Sequence, residues 1–508
     1  MAFRETLISE LTNDDSIKAQ YLRTEFESKL LDPHFADSPE ERRTRAIKKW
    51  LECEDTNRST NMRLMHMDET DVLFTTRDGF PVSAVDIADT AARFIRETLG
   101  ELPMDSLRGS FSGGASTGLK RGIGTIARKY LEGSHITEGA VWHFLRLSKT
   151  EAWAPREFLL VRGNEMFTVP KSTVIDRVAC KEPDYNMYVQ KAVGDLIRSR
   201  LKRVGIDLHD QSINNGLALE GSIQGNLATI DLSSASDSVT TQCVLRLLPD
   251  DWFHLMYDIR SPETEVDGVW HVNEMFSSMG NAFTFELESL IFWALTRAVA
   301  FHSQQKGRIS VYGDDIICPS GLYESLESTF QFFGFKVNPK KSHWNDNFRE
   351  SCGKHFHGGY DVTPFYVKEV PADVSDWILL LNKLRKWCAD KGTGSLSGIC
   401  DPRYYTLWST FAQIVPAPVW GSSNLDARDQ LVAPGRLPIA RLLPKQRKHD
   451  REQSLYSKGA YLHWLDVTSE RVEAGDVQTS SMVSDGRLRL RRCQRIHRDR
   501  IPLFPQEI

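Results

Sequence analysis

The chain lacks what would make it a disulfide scaffold, a zinc protein or a membrane protein. Its eight cysteines (53, 180, 243, 318, 352, 388, 400 and 493) are scattered with no C-x-x-C pair, so they read as reduced thiols. There is no long hydrophobic run: the best apolar stretch, Leu290 to Phe301, is short and broken by Arg297, which excludes a credible membrane span. The opening MAFRETLISELTNDD has no basic segment followed by an apolar one, so no signal peptide is expected. Charge of one sign is also lacking, with 63 Lys and Arg against 68 Asp and Glu and a net charge of -5. That excludes a wholesale polyanion binder and leaves any nucleic-acid contact to local basic patches. No repeat or low-complexity tract stands out.

What is present is a 508-residue chain, 41% hydrophobic and 26% charged, the balance of a soluble globular protein with several subdomains. The first hundred residues read as helical and charged, as in ERRTRAIKKWLE, and carry no functional signal. A Gly/Ser-rich basic stretch from Arg108 to Arg128 looks like a phosphate-cradling loop at first sight. Its spacing fails, because Gly113 and Gly118 are followed by Leu119 and only then by Lys120, so it reads as a basic loop. Arg162 to Arg203 is basic in patches and ends in a helical pattern, and residues 217–367 alternate β-rich runs with helices. ADVSDWILLLNKLRKWC reads as an amphipathic helix, and Pro402 to about Pro444 as loop. Seven arginines between Arg487 and Arg500 would either reach RNA or a partner, or form a solvated basic tail.

Three segments carry the chemistry. In RISVYGDDIICP, residues 308–319, β-formers flank Gly313, Asp314 and Asp315, which predicts a hairpin with two adjacent acids at its tip. A solvated turn tolerates such a pair, but apolar flanks press this one against a core, where neighbouring carboxylates repel unless a cation joins them. In LATIDLSSASDSVT, residues 227–240, an apolar strand stops at Asp231, which suits either a metal ligand or a helix N-cap. In SSMGNAFTFELESLIFWAL, residues 277–295, a turn at Gly280 leads into a helix with Leu287, Leu290, Ile291, Ala294 and Leu295 on one face. That helix alone is an ordinary core element, but the glycine turn before it lets backbone approach a ligand closely.

Taken together and in this order, the segments resemble motifs A, B and C of right-hand RNA-dependent RNA polymerases. The closer resemblance is to the replicase catalytic subunit of small single-stranded RNA bacteriophages, the Qβ-like leviviruses. DRVACKEPDYNMYVQKAVG, IDLSSASDSV, FTFELESLIFWA, YGDDIICPS and FRESCGKHF carry it, over about Lys171 to Tyr366. It implies an α+β fold with fingers, palm and thumb, the palm a small antiparallel sheet backed by helices. Fingers would occupy mainly residues 1–216, the palm 217–369 with a finger insertion at 249–271, and thumb and basic extension 370–508.

The resemblance further implies two Mg²⁺ ions shared by Asp231 and Asp314, with Asp315 supporting. Lys171, Arg177 and Lys181 in PKSTVIDRVACKEP resemble motif F, a basic finger over the incoming nucleotide; a solvated basic strand is the alternative. Lys341 in FGFKVNPKKSHW resembles the motif D lysine that protonates pyrophosphate, and FRESCGKHFHGGYDVTPFYV the motif E hairpin. Motif B departs from the common pattern: Thr284 is followed by Glu288 and Ser289 where many such enzymes have an Asn before the Ser. The ribose 2′-hydroxyl would then be read by Asp237 with Glu288 or Asn281, beside Gly280. The implied substrates are single-stranded RNA template and ribonucleoside triphosphates. The implied partners are host elongation factors Tu and Ts and a ribosomal protein, in the cytoplasm of an infected bacterium, with no membrane. Two rival readings are a reverse transcriptase, disfavoured by the small residues LSSAS after Asp231, and a non-catalytic RNA-binding scaffold, which has no need of converging acids.

Overall fold

The computed structural model describes residues 2–149, 158–388, 402–415 and 431, a mixed arrangement of helices and small sheets. The arginine-rich stretch 487–500 lies outside the described residues. Contacts divide the chain into two compact units: residues 37–362, and residues 1–36 together with the chain from 363 onward. No helix among the described residues is long and apolar enough to cross a membrane.

In the smaller unit, helices Ala2–Thr12, Ile17–Lys29, Val374–Cys388 and Pro402–Ala412 share a core of Leu7, Leu22, Phe26, Leu381, Leu384 and Trp408. The last helix corrects the expectation of loop after Pro402. Proline is tolerated at a helix start, and Tyr404, Leu407, Trp408 and Phe411 fall at helical spacing and are buried, which outweighs the nearby prolines.

The larger unit is built around a three-stranded antiparallel sheet in the order Ser310–Tyr312, Asp315–Pro319, Leu227–Ile230. Ile316 pairs with Ile230 and Tyr312 with Asp315, so both acid-bearing segments end at the same edge. All four residues of Leu227–Ile230 are buried, which is why this strand reads as a continuous apolar run. The chain continues past Asp231 into Leu232–Ser233, which pairs with Lys336–Val337, and the motif E segment forms the sheet Phe348–Ser351, Lys354–His357, Tyr360–Asp361.

Helix Thr284–His302 differs from the one-faced helix expected. From Leu287 through Thr296 every residue is buried, so it is a central element packed on all sides and not a half-exposed one. A second sheet runs Val269–Val272, Glu263–Val266, Gly163–Pro170, Asp176–Lys181. Its first two strands are a hairpin from the expected insertion, and Gly163–Glu165 pairs with Glu263–Glu265. The long helix Pro39–Met65 starts at a capping box between Ser38 and Glu41, with Pro39 in the first turn.

Gly280 joins the two sheets' surroundings. Its φ of 127° is one that L side chains rarely adopt, and a Cβ there would overlap the carbonyl oxygen of Cys180. The close approach expected at this glycine is therefore made to strand Asp176–Lys181, where the Cys180 N–H donates to the Met279 carbonyl at 2.7 Å. Gly280→Ala is expected to destabilise the protein by about 1–3 kcal/mol, the usual range for a disfavoured backbone conformation. Urea unfolding measures this, and an unchanged midpoint would show that the loop absorbs the side chain.

Candidate active site

The three acids are set by backbone before any side-chain contact is made. Asp231 interrupts two strand pairings, one on each side, and its own N–H donates to Ser342 Oγ at 3.2 Å. Its carboxylate accepts from Asn338 Nδ2 at 2.9 Å and from Lys341 Nζ at 3.3 Å. Asp314 stands in the two-residue turn Gly313-Asp314. Gly313 has φ 62°, and its N–H donates to Ser289 Oγ at 2.9 Å, so the central helix holds the turn. Asp315 opens the returning strand, and its carboxylate accepts the backbone N–H of Cys352 from the motif E hairpin.

A buried asparagine ties these pieces together. Asn214, on helix Ser212–Gln224, donates through Nδ2 to the Asp315 carbonyl at 3.2 Å and to Ser351 Oγ at 3.2 Å. Its Oδ1 accepts from Ser310 Oγ at 2.6 Å. One side chain thus links both strands of the acid hairpin to the hairpin of motif E.

These elements enclose a cavity of about 600 Å³. Asp231, Asp314 and Asp315 line it, as do Asp237, Gly280, Asn281, Thr284 and Glu288. Lys171, Arg177 and Lys341 line it as well. Lys181 does not: it pairs with Glu165 at 2.8 Å on the neighbouring strand.

The acids destabilise one another. Burial, then the charge of Asp231, raises Asp314 above the ordinary carboxylate range, and burial with Asp314 takes Asp315 to about 7. Burial, then Asp314 and Asp237, lifts Glu288 well above its usual value, and burial with Glu54 brings Asp237 to about 6. For Lys341 burial alone would lower the pKa, but Asp231, Glu350 and Asp314 outweigh it and raise it. Lys171 is exposed to water at the cavity, yet the surrounding protein, and after it Arg177, Lys49 and Lys341, lower its pKa.

The two polar side chains of the motif B turn divide their tasks. Thr284 Oγ1 donates to the Ser278 carbonyl at 3.0 Å and shares a hydroxyl–hydroxyl hydrogen bond with Ser277 Oγ at 2.8 Å, so it closes the turn. Asn281 Oδ1 accepts the Phe283 N–H at 3.0 Å, while its Nδ2, buried on the cavity wall, has no hydrogen-bond partner among the described residues.

Several residues that line the cavity or brace its acids gave no sequence signal. Lys49 and Trp50 come from helix Pro39–Met65, in the stretch that reads only as charged helix. Asn338 lies three residues before Lys341, and Asn214 lies outside every motif. Asn214→Leu keeps the volume but leaves the buried Ser310 and Ser351 hydroxyls and the Asp315 carbonyl without that partner. A loss of about 1–3 kcal/mol is expected per group left unsatisfied. Denaturant unfolding reads it directly, and a variant as stable as the parent would remove Asn214 from this role.

Known proteins align along nearly the whole chain. The family described as RNA replicase, beta-chain matches residues 4–505. The RNA-directed RNA polymerase beta chain of Enterobacteria phage fr is 37% identical, covering 97% of this chain and 92% of that one. The beta chain of Escherichia phage MS2 is 40% identical over 83% of this chain and 80% of its own length. The beta subunit of Escherichia virus Qbeta is 35% identical over 89% and 76%. Among solved structures, the BmCPV RNA-dependent RNA polymerase at elongation state is a loose likeness, with TM-score 0.44 and 12% identity over 66% of this chain and 34% of that one. With a family match from residue 4 to 505 and relatives above 30% identity along most of its length, the chain belongs to the RNA replicase beta-chain family and is an RNA-directed RNA polymerase.

Proposed function

We propose that the cavity is the nucleotidyl-transfer site, where Asp231 and Asp314 are the shared ligands of two Mg²⁺ ions and Asp315 supports them. The observation that carries this reading is the meeting of acids from separate strands with several cations in one cavity of about 600 Å³. The donor set fits magnesium, which takes a few carboxylate oxygens and completes its shell with water and phosphate. Among the described residues no three acidic, histidine or cysteine side chains stand close enough to hold an ion alone, so substrate phosphates would complete the shell. When bound, the metals would activate the attacking 3′-hydroxyl and neutralise the leaving oxygens.

The protein's own groups do the rest. Lys171 and Arg177 hold the triphosphate, the arginine as a fork and the lysine as a point charge. Lys341 keeps its proton on Nζ and is the donor we assign to the leaving pyrophosphate. Asp237 and Glu288 are acceptors for the ribose 2′-hydroxyl, and the unpartnered Nδ2 of Asn281 is a donor beside them. Ser233, Ser234 and Ser236 are small enough to leave that hydroxyl room, which favours ribonucleotides.

In functional terms, residues 217–369 would be the palm and 370–508 the thumb and extension, with fingers drawn from 1–216 and from 249–271. Support for the insertion is the pairing of its hairpin with Gly163–Glu165. Compactness separates residues 1–36 from the rest of that finger span. The substrates would be phage genomic RNA, its complement and ribonucleoside triphosphates. Host elongation factors Tu and Ts and a ribosomal protein are the partners proposed, in the cytoplasm of the infected cell.

Asp231→Asn or Asp314→Asn is expected to abolish ribonucleotide incorporation on a single-stranded RNA template while leaving the melting temperature within a few degrees. Near-full activity in either variant would refute the metal assignment. The pKa shifts add a second expectation. Asp314 is raised and Asp315 reaches about 7, so the folded chain binds these protons more tightly than the unfolded one. Without metal, stability therefore falls as pH rises from about 4 towards 7. Added Mg²⁺ is expected to raise the melting temperature more at about pH 7.5 than at about pH 5.5, and Asp314→Asn to remove the difference. A gain that is the same at both pH values, or that survives in the variant, would place the ion elsewhere.

A further inference from the structure

The helix Pro39–Met65 lies outside every sequence motif, yet it forms one wall of the cavity through Ala46, Lys49 and Trp50. One face of it is fastened at two places. Near its start, the buried Arg42 donates to Asp176 at 3.0 Å, beside Arg177 on the basic strand. Farther along, Asn57 Nδ2 donates to the Asp237 carbonyl at 2.7 Å. Between these anchors Trp50 is buried against Val178, Met275 and the ring of His271, whose centroid is 5.1 Å away. Positions 42, 46, 49, 50, 53 and 57 follow the three- and four-residue spacing of a single helical face. Lys49 is therefore carried on rigid backbone between motif F and motif A.

Its charge is uncommitted. Along the same helix Arg42, Arg43, Arg45, Lys48 and Arg58 each pair with an acid. Among the described residues Lys49 makes no ion pair, and neither do Lys171 and Arg177, the two other cations on this side of the cavity. All three feel the charge of Asp237 across the cavity, but none is held to it in an ion pair, so their donors stay open to an added anion. An Arg or Lys of this kind contributes when a phosphate arrives, and little before it does.

We propose that Lys49 is a nucleotide-binding residue that grips the triphosphate tail of the incoming ribonucleotide, completing with Lys171 and Arg177 a three-cation cradle. The inference rests on the nucleotide-site reading above and adds to it a ligand from the N-terminal helix. Because Lys49 acts on the phosphates and not on the reacting centre, it sets affinity more than turnover.

The test uses the full chain with its RNA template and any factors it needs for activity, and compares Lys49→Ala, Lys49→Arg, Lys48→Ala and Arg177→Ala. Two quantities are read: KM for a ribonucleotide, and inhibition by inorganic tripolyphosphate, which carries the anion without base or sugar. Lys49→Ala is expected to raise KM about three- to tenfold, the scale of one partly exposed charge contact, and to weaken tripolyphosphate by a similar factor. Its kcat and melting temperature should stay near the parent's, Lys49→Arg should restore most of the affinity, and Lys48→Ala should match the parent. Unchanged values in Lys49→Ala, with a loss in Arg177→Ala, would overturn the assignment of Lys49 alone. Equal losses in Lys49→Ala and Lys48→Ala would also overturn it, since they would reflect the general field of the helix. No response in any variant, Arg177→Ala included, would overturn the nucleotide-site reading together with it.

Discussion

Carboxylates repel at short range, and this fold holds several of them around one cavity by means that leave them little freedom to separate. Asp231 is fixed by strand pairing on both sides, Asp314 by a two-residue turn, and Asp315 by the register that sets it opposite Tyr312. The consequence is written in their protonation: Asp314 is raised, Asp315 is near 7, and Glu288 lies higher than an ordinary glutamate. Such an arrangement costs stability in the free protein. It makes sense only where positive charge is to be brought in, and the cations across the cavity are the other half of that design.

The surrounding scaffold can be understood as what this constraint requires. Ser289 holds the Gly313 N–H, Asn214 joins the acid hairpin to Ser351, and the Cys352 N–H reaches the Asp315 carboxylate. None of these groups carries a charge that would compete for a metal. Each is a neutral dipole that fixes the backbone carrying the acids without adding to their charge. Neutral hydrogen bonds inside a buried network of this kind are geometrically demanding, which is why Asn214, with both ends of its amide used, is hard to replace.

This explains what could be read from sequence. The acid hairpin was legible because a Gly-Asp turn between β-formers fixes local geometry without reference to the rest of the chain. The strand ending at Asp231 was legible for a similar reason, as a buried apolar run stopped by a charge. The central helix was recognised but not its full burial, since a periodic apolar face does not reveal how many neighbours cover the opposite side. Lys181 sits three residues beyond Val178, the last residue of its strand to line the cavity, and its ion pair with Glu165 depends on a sheet register that local sequence does not specify. Asn214 and the wall formed by helix Pro39–Met65 were invisible because the partners of Asn214, and those of Arg42 and Asn57 on the helix, lie about a hundred residues or more away along the chain.

The free site has two ways of balancing its charge, and they fall on different acids. Asp231 has Lys341 at 3.3 Å and an amide donor from Asn338, so its charge is met by fixed groups. Asp315 makes no ion pair among the described residues, and burial with Asp314 raises it to about 7 instead. A cation held by Asp231 would compete with Lys341 for the same carboxylate. That lysine is the one we assign to the leaving pyrophosphate, and Asp231, Glu350 and Asp314 keep it charged. On this reading, placing Lys341 and Ser342 directly against Asp231 at the end of its strand would couple the charge state of the acid site to the proposed proton donor.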